Sequence, residues 1–123
     1  MKYMILIHSN PASREAWEKF SDAERGEGMG AYAALNEDLT ESGELIVTEA
    51  LADASSGKRV TVDDGRTIIS DGPFAEAKEQ LAGFYLVECE SIDRAIEIAA
   101  QVPGVPLLEV EVRPVLSYAG TEM

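Results

Sequence analysis

An α+β domain, built as a split βαβ sandwich with one added β-hairpin, is the fold class that this sequence predicts. Three observations point to it. Strand-like segments open and close the chain, a helical stripe follows the first and another precedes the last, and Asp64-Gly65 joins two β-rich runs between them. The 123 residues suit a single domain with one modest core. With 46% apolar and 27% charged residues, the composition is that of a globular chain and is too hydrophobic for a disordered one.

The elements follow in order. Residues 2 to 8 form a short apolar run ended by Ser9, Asn10 and Pro11, which reads as a buried opening strand. Residues 11 to 20, with Trp17 and Phe20, form a separate short helical lid. Ser21-Asp22-Ala23-Glu24 fits a capping box and starts the first main helix. Its apolar stripe is Tyr32, Leu35 and Leu39, and Gly43 is its C-cap. Gly26, Gly28 and Gly30 weaken the first two turns, each by roughly 1 kcal/mol relative to Ala. Glu44 to Leu51 reads as the second strand and Ala52 to Gly57 as a loop. Lys58 to Asp63 and Arg66 to Ser70 pair across Asp64-Gly65, whose left-handed central residues match the twist of paired strands. Asp71-Gly72-Pro73 breaks the chain, Phe74 to Gln80 suits one or two helical turns, and Leu81 to Glu88 is a strand. Ser91 caps a second main helix whose expected core stripe is Ile92, Ala95, Ile96 and Ala99, stopped by Pro103 and Gly104. Leu107 to Val115 alternates apolar and charged residues and closes the sheet.

With the hairpin set aside, this order is that of a ferredoxin-like sheet with both helices on one face. The other face stays uncovered, so a second copy of the chain is the expected partner. No internal repeat, linker or low-complexity tract interrupts the chain.

Composition also narrows function. A formal net charge of −13 repels phosphate backbones and anionic headgroups, so nucleic-acid and membrane partners are not expected. The opening apolar run is too short for a signal-peptide core or a membrane span, which points to a cytoplasmic protein. A single cysteine, Cys89, cannot form an intramolecular disulfide and lies in an apolar run, as a small core residue does. One histidine and one cysteine are too few for a zinc or iron site, and the Glu88/Glu90 and Glu109/Glu111 pairs have the strand spacing of solvated faces, so no metal or other cofactor is expected. Gly26-Glu27-Gly28-Met29-Gly30 follows a helix start and lacks the strand context of a phosphate-binding loop.

Several side chains are candidates for chemistry. His8, at the end of the first strand, could act as a general base or simply bond nearby backbone at the rim. Asp71 sits on a sharp bend, where aspartate often bonds backbone N–H groups. Lys78 is expected on an exposed turn, and Arg113 could pair with Glu109 or Glu111 or bind an anionic ligand.

The run Asp71 to Glu79, then Gly83 to Val87, the Ile92-to-Ala100 helix, Glu111-Val112-Arg113-Pro114-Val115 and the opening Met1 to Ile7 together resemble the DGPF branch of the YCII-related family. The resemblance spans nearly the whole chain. It implies a ferredoxin-like fold dimerising into an α+β barrel with a cleft, and a possible link of some relatives to extracytoplasmic-function sigma factors. The wider family includes a lyase acting on a halogenated aromatic, with a site that pairs an aspartate with a histidine on the first helix. Here the matching region, Met29-Gly30-Ala31-Tyr32, has no histidine, and His8 stands where this branch usually carries an aromatic residue.

The resulting expectation is a homodimer with a small-molecule cleft near Asp71. In one reading it is a lyase or isomerase with Asp71 as acid/base, His8 or Tyr32 assisting, and Tyr32, Phe74, Lys78 and Arg113 as binding residues. A non-catalytic ligand-binding or regulatory module is the alternative, and a purely structural assembly protein is a third.

Overall fold

A computed structural model describes residues 1–72, 79–104 and 107–116. Its strands are β1 (Lys2–Ser9), β2 (Leu45–Ala50), β3 (Lys58–Asp63), β4 (Arg66–Asp71), β5 (Gln80–Glu88) and β6 (Glu109–Pro114). The helices are α1 (Pro11–Lys19), α2 (Asp22–Glu41) and α3 (Ile92–Ala100), with a 3-10 turn at Ala54–Ser56. Four strands form one antiparallel sheet in the order β2-β5-β1-β6, and β3 and β4 form a separate two-stranded sheet. This α+β arrangement is consistent with a ferredoxin-like fold.

Alternation along the central strands divides the main sheet into two unlike faces. Tyr3, Ile5 and Ile7 on β1 and Tyr85 and Val87 on β5 are buried together with Leu35 and Leu39 of α2 and Ala95, Ile98 and Ala99 of α3. Met4, Leu6, Phe84 and Leu86 alternate with them, point away from the helices and are only half-buried. Within the core, the Tyr85 hydroxyl donates to Asn36 Oδ1, so a buried polar group keeps a partner where α2 crosses the sheet.

The helix ends follow local chemistry. Ser21 accepts from Glu24 N at 3.1 Å while the Glu24 side chain accepts from Ser21 N at 3.0 Å, the expected capping box. At the other end Gly43 takes φ +79°, letting Glu44 N donate to Leu39 O and Gly43 N to Thr40 O, which satisfies two carbonyls of the last turn. Despite its three glycines, α2 runs as one 20-residue helix from the capping box onward. The α1 segment has a second capping box, between Asn10 and Ser13, with Pro11 as its first residue.

One sequence expectation is corrected by packing. The core stripe of α3 is Ala95, Ile98, Ala99 and Val102, whereas Ile92 and Ile96 face solvent, Ile96 being 51% exposed. At 3.6 residues per turn, Ile98 and Val102 lie to one side of the Ala95–Ala99 line and Ile92 and Ile96 to the other. Both sides are apolar in sequence, and only docking on β1 and β6 selects the Ile98 side. The remaining differences are small. The hairpin turn is as expected, with Asp64 and Gly65 at φ 50° and 75°. Gln80, expected to end a helical turn, instead opens β5, and residues 73–78 of that segment lie outside the described residues. Cys89 is buried and free, and burial pushes its thiol above the usual range.

Glu44 ties α3 to the start of β2. Arg94 donates from Nε to Glu44 Oε2 at 2.9 Å and from Nη2 to Oε1 at 2.8 Å, and the Ser42 hydroxyl donates to Oε1 at 2.8 Å. The fork from Arg94, aided by Ser42, holds the Glu44 carboxyl below the ordinary glutamate range.

Two measurements check this packing. Ile98→Ala should lower unfolding free energy by about 2–5 kcal/mol, as core truncations do, whereas Ile96→Ala should change it by about 0.5 kcal/mol or less. Equal losses in denaturant titrations would contradict the docking of α3. Because folding lowers the pKa of Glu44, its contribution is complete above the unfolded-state value and is lost as pH falls through the folded one. Glu44→Gln should therefore cost about 1–2 kcal/mol at pH 7, and the cost should shrink as pH falls through the folded-state pKa and the parent carboxylate is itself protonated.

Candidate functional site

The site lies where β1 ends. Ile7 pairs with Gly83 and His8 with Leu81, so β5 carries an extra residue, Ala82, at a β-bulge. Gly83 beside it admits no side chain, since a Cβ there would stand 2.9 Å from Glu49 O on β2. Past the bulge β1 and β5 pair for two more residues, His8 with Leu81 and Ser9 with Gln80, and α1 follows directly after β1.

A pocket of about 540 Å³ lies beside α1. Its walls are Ser9 from β1, Ser13, Arg14, Trp17 and Phe20 from α1 and its C-cap, Gly28 and Tyr32 from α2, Leu51 to Ala54 after β2, Gln80 to Ala82 of β5, and Leu107 and Leu108 before β6. The volume falls in the range of small-molecule sites, and the lining combines aromatic and aliphatic surface with a few polar groups, as such sites do. Trp17 and Phe20 meet edge to face with centroids 6.0 Å apart. Arg25 of α2 stacks 5.2 Å from the centre of the Trp17 ring and donates to Trp17 O at 2.9 Å, which fastens the end of α1 to α2.

Tyr32 is the expected site residue that this pocket contains. Its hydroxyl donates to Pro103 O at 3.1 Å, and burial raises its pKa above that of a free tyrosine, so it is a neutral donor rather than a base near neutral pH.

The other candidates lie elsewhere. His8 alternates with the buried Ile7 and so belongs to the face away from the helices, where its Nε2 is 3.7 Å from Glu111 Oε1. Glu109 beside it shares a side-chain hydrogen bond with Glu79, and that bond and the repulsion between the two groups raise its pKa, against a small opposing effect of His8. Arg113 on the same face approaches Glu111 Oε2 at 3.8 Å, the structural pairing that its sequence position allows. Asp71 ends β4 with its side chain 84% exposed and pairs with Lys58 across the hairpin, outside the pocket wall. Within one chain, then, Asp71, His8 and Tyr32 do not converge. Phe74 and Lys78 lie outside the described residues.

A shallower hollow of about 500 Å³ adjoins the pocket at the base of the hairpin, with Lys58, Arg59, Gly72 and Glu79 in its rim. Among the described residues no cluster of three or more His, Cys, Asp or Glu side chains could hold a metal ion, and no helix is long and apolar enough to cross a membrane.

Sequence reading missed Ser9, Ser13, Arg14 and Asp53 as pocket residues. A usable signal was present in Asn10-Pro11-Ala12-Ser13, a capping box that sets the start of α1 and hence places Arg14 one turn in, on the same helix as Trp17.

The YCII-related domain matches residues 1–119. An uncharacterized protein of Rhizobium meliloti (strain 1021) is 34% identical over 125 aligned positions, covering 100% of this chain and 98% of that protein. The chain therefore belongs to the YCII-related family.

Proposed function

We propose that this domain is a small-molecule-binding module of the DGPF branch that works as a cytoplasmic homodimer, taking a largely apolar ligand in the pocket beside α1. The observation that carries the reading is the pocket itself: about 540 Å³, walled by Trp17, Phe20, Leu51, Leu107 and Leu108, bordered by Tyr32, and with Ser9, Arg14 and Asp53 among its polar groups. The branch assignment rests on Asp71 to Glu79 and Glu111 to Val115 in sequence. The dimer rests on the sheet face bearing Met4, Leu6, Phe84 and Leu86, which no described helix covers, and whose apolar centre is flanked by Glu88, Glu109 and Glu111. An apolar sheet centre with a charged rim is the usual anatomy of an interface.

A lyase or isomerase using Asp71 and His8 draws less support, because the two lie outside the pocket wall and each faces an ion-pair partner at the surface. A binding or regulatory role needs no such convergence.

Two experiments test the proposal. Trp17 is the single tryptophan of the chain and lines the pocket, so its fluorescence reports occupancy. Titrated with 2-naphthamide, the parent should give a saturable signal. Gly28→Leu, which fills the pocket from α2, should abolish that signal, whereas Gly26→Leu on the same helix and Asp71→Asn should leave it intact. Binding unchanged in Gly28→Leu would remove the pocket from consideration, and a tenfold or larger loss in Asp71→Asn, about 1.4 kcal/mol, would return that carboxylate to the site. Light scattering should give about twice the chain mass of 13.3 kDa at micromolar concentration, and Phe84→Glu should halve it. A monomeric parent overturns the dimer.

A further inference from the structure

The ligand class follows from the charged groups in the pocket wall. Arg14 is half-buried on α1, and among the described residues its guanidinium has one hydrogen-bond partner, the Ser9 hydroxyl at 3.4 Å from Nη1, and no carboxylate within ion-pair distance. A guanidinium carries five N–H donors in a planar fork, so most of its donor capacity is unspent.

The acids around it are differently placed. Asp53 caps the 3-10 turn and accepts from both the backbone N–H and the hydroxyl of Ser55, and these bonds, with a smaller attraction from Arg14, hold its carboxyl below the ordinary aspartate range. Glu24 is occupied by the capping box with Ser21. Glu18 is exposed at the rim. A half-buried arginine that faces a cavity with no carboxylate within ion-pair distance keeps donors for an anion, and its fork matches the two oxygens of a carboxylate. Glu18, Glu24 and Asp53 line the same pocket and oppose any anion, so the selectivity has to come from direct contact with the guanidinium fork, while exposed charges more than about 8 Å away are largely screened at physiological ionic strength. Trp17, Phe20 and Leu108 supply the apolar surface for the rest of the molecule.

We propose that Arg14 makes the pocket selective for an apolar monocarboxylate, an aryl or bulky alkyl acid whose carboxylate meets the guanidinium beside Ser9 and whose body lies against Trp17 and Phe20. This rests on the pocket being the ligand site. Calorimetric titration with 2-naphthoate and with neutral 2-naphthamide separates the two ideas, since the probes share a body and differ in charge. The parent should bind naphthoate at least about tenfold more tightly than naphthamide. Arg14→Ala should level the two affinities by weakening naphthoate alone. Arg14→Lys, which keeps the charge without the fork, should retain part of the preference and guards against loss of fold in the alanine variant, as do melting curves of both. Naphthamide binding as tightly as naphthoate to the parent, or a carboxylate preference that survives in a folded Arg14→Ala, overturns the role of Arg14 and leaves the pocket reading intact. Failure of both probes to bind the parent overturns the two together.

Discussion

Strict alternation on β1, the strand held between β5 and β6, is the constraint on which the rest of the structure depends. Tyr3, Ile5 and Ile7 must all leave water on one side, and α2 and α3 are the elements that cover them. A one-residue slip against either neighbour would send this set to the other face, so the paired registers of β1 hold the whole core in place. The same alternation leaves Met4, Leu6 and, on β5, Phe84 and Leu86 on a face without a helix. Core and open face are two consequences of one period.

The pocket exists because that regularity stops. At Ala82 the sheet takes one residue more on β5 than on β1, and the ladder ends within two residues. Beside these strand ends lies α1, capped by Asn10 and anchored through Arg25 to α2, and residues of both line the pocket. Ser9 and Arg14 on one side and Asp53 on the other belong to segments that leave the sheet.

The hairpin β3–β4 stands apart from both. It makes no ladder with the main sheet, and a lone two-stranded hairpin is marginally stable unless it packs against something else. Gly72 N donates to Gly57 O at 2.9 Å at its base, and Lys58 meets Asp71 there, so Asp71 and Gly72 close the hairpin stem.

Much of this was readable from residues alone. The capping box at Ser21, the C-cap at Gly43, the Asp64-Gly65 turn, the apolar run of residues 2 to 8 and the alternation of Leu107 to Val115 are local signals whose meaning does not depend on the remainder of the fold. They determined the elements and their order. Tertiary structure decided what local periodicity leaves degenerate. α3 offers isoleucines on both sides of its alanine line, and docking chose Ile98 over Ile96. Asp71 and His8 are chemically plausible in sequence, yet one sits at the end of a hairpin outside the main sheet and the other on the face turned from the helices. Arg14 carries no motif at all. Its place in a pocket arises from the bulge at Ala82 and the path of a short helix beside it, and such convergence of distant segments is set by packing in three dimensions, where no single stretch of sequence records it.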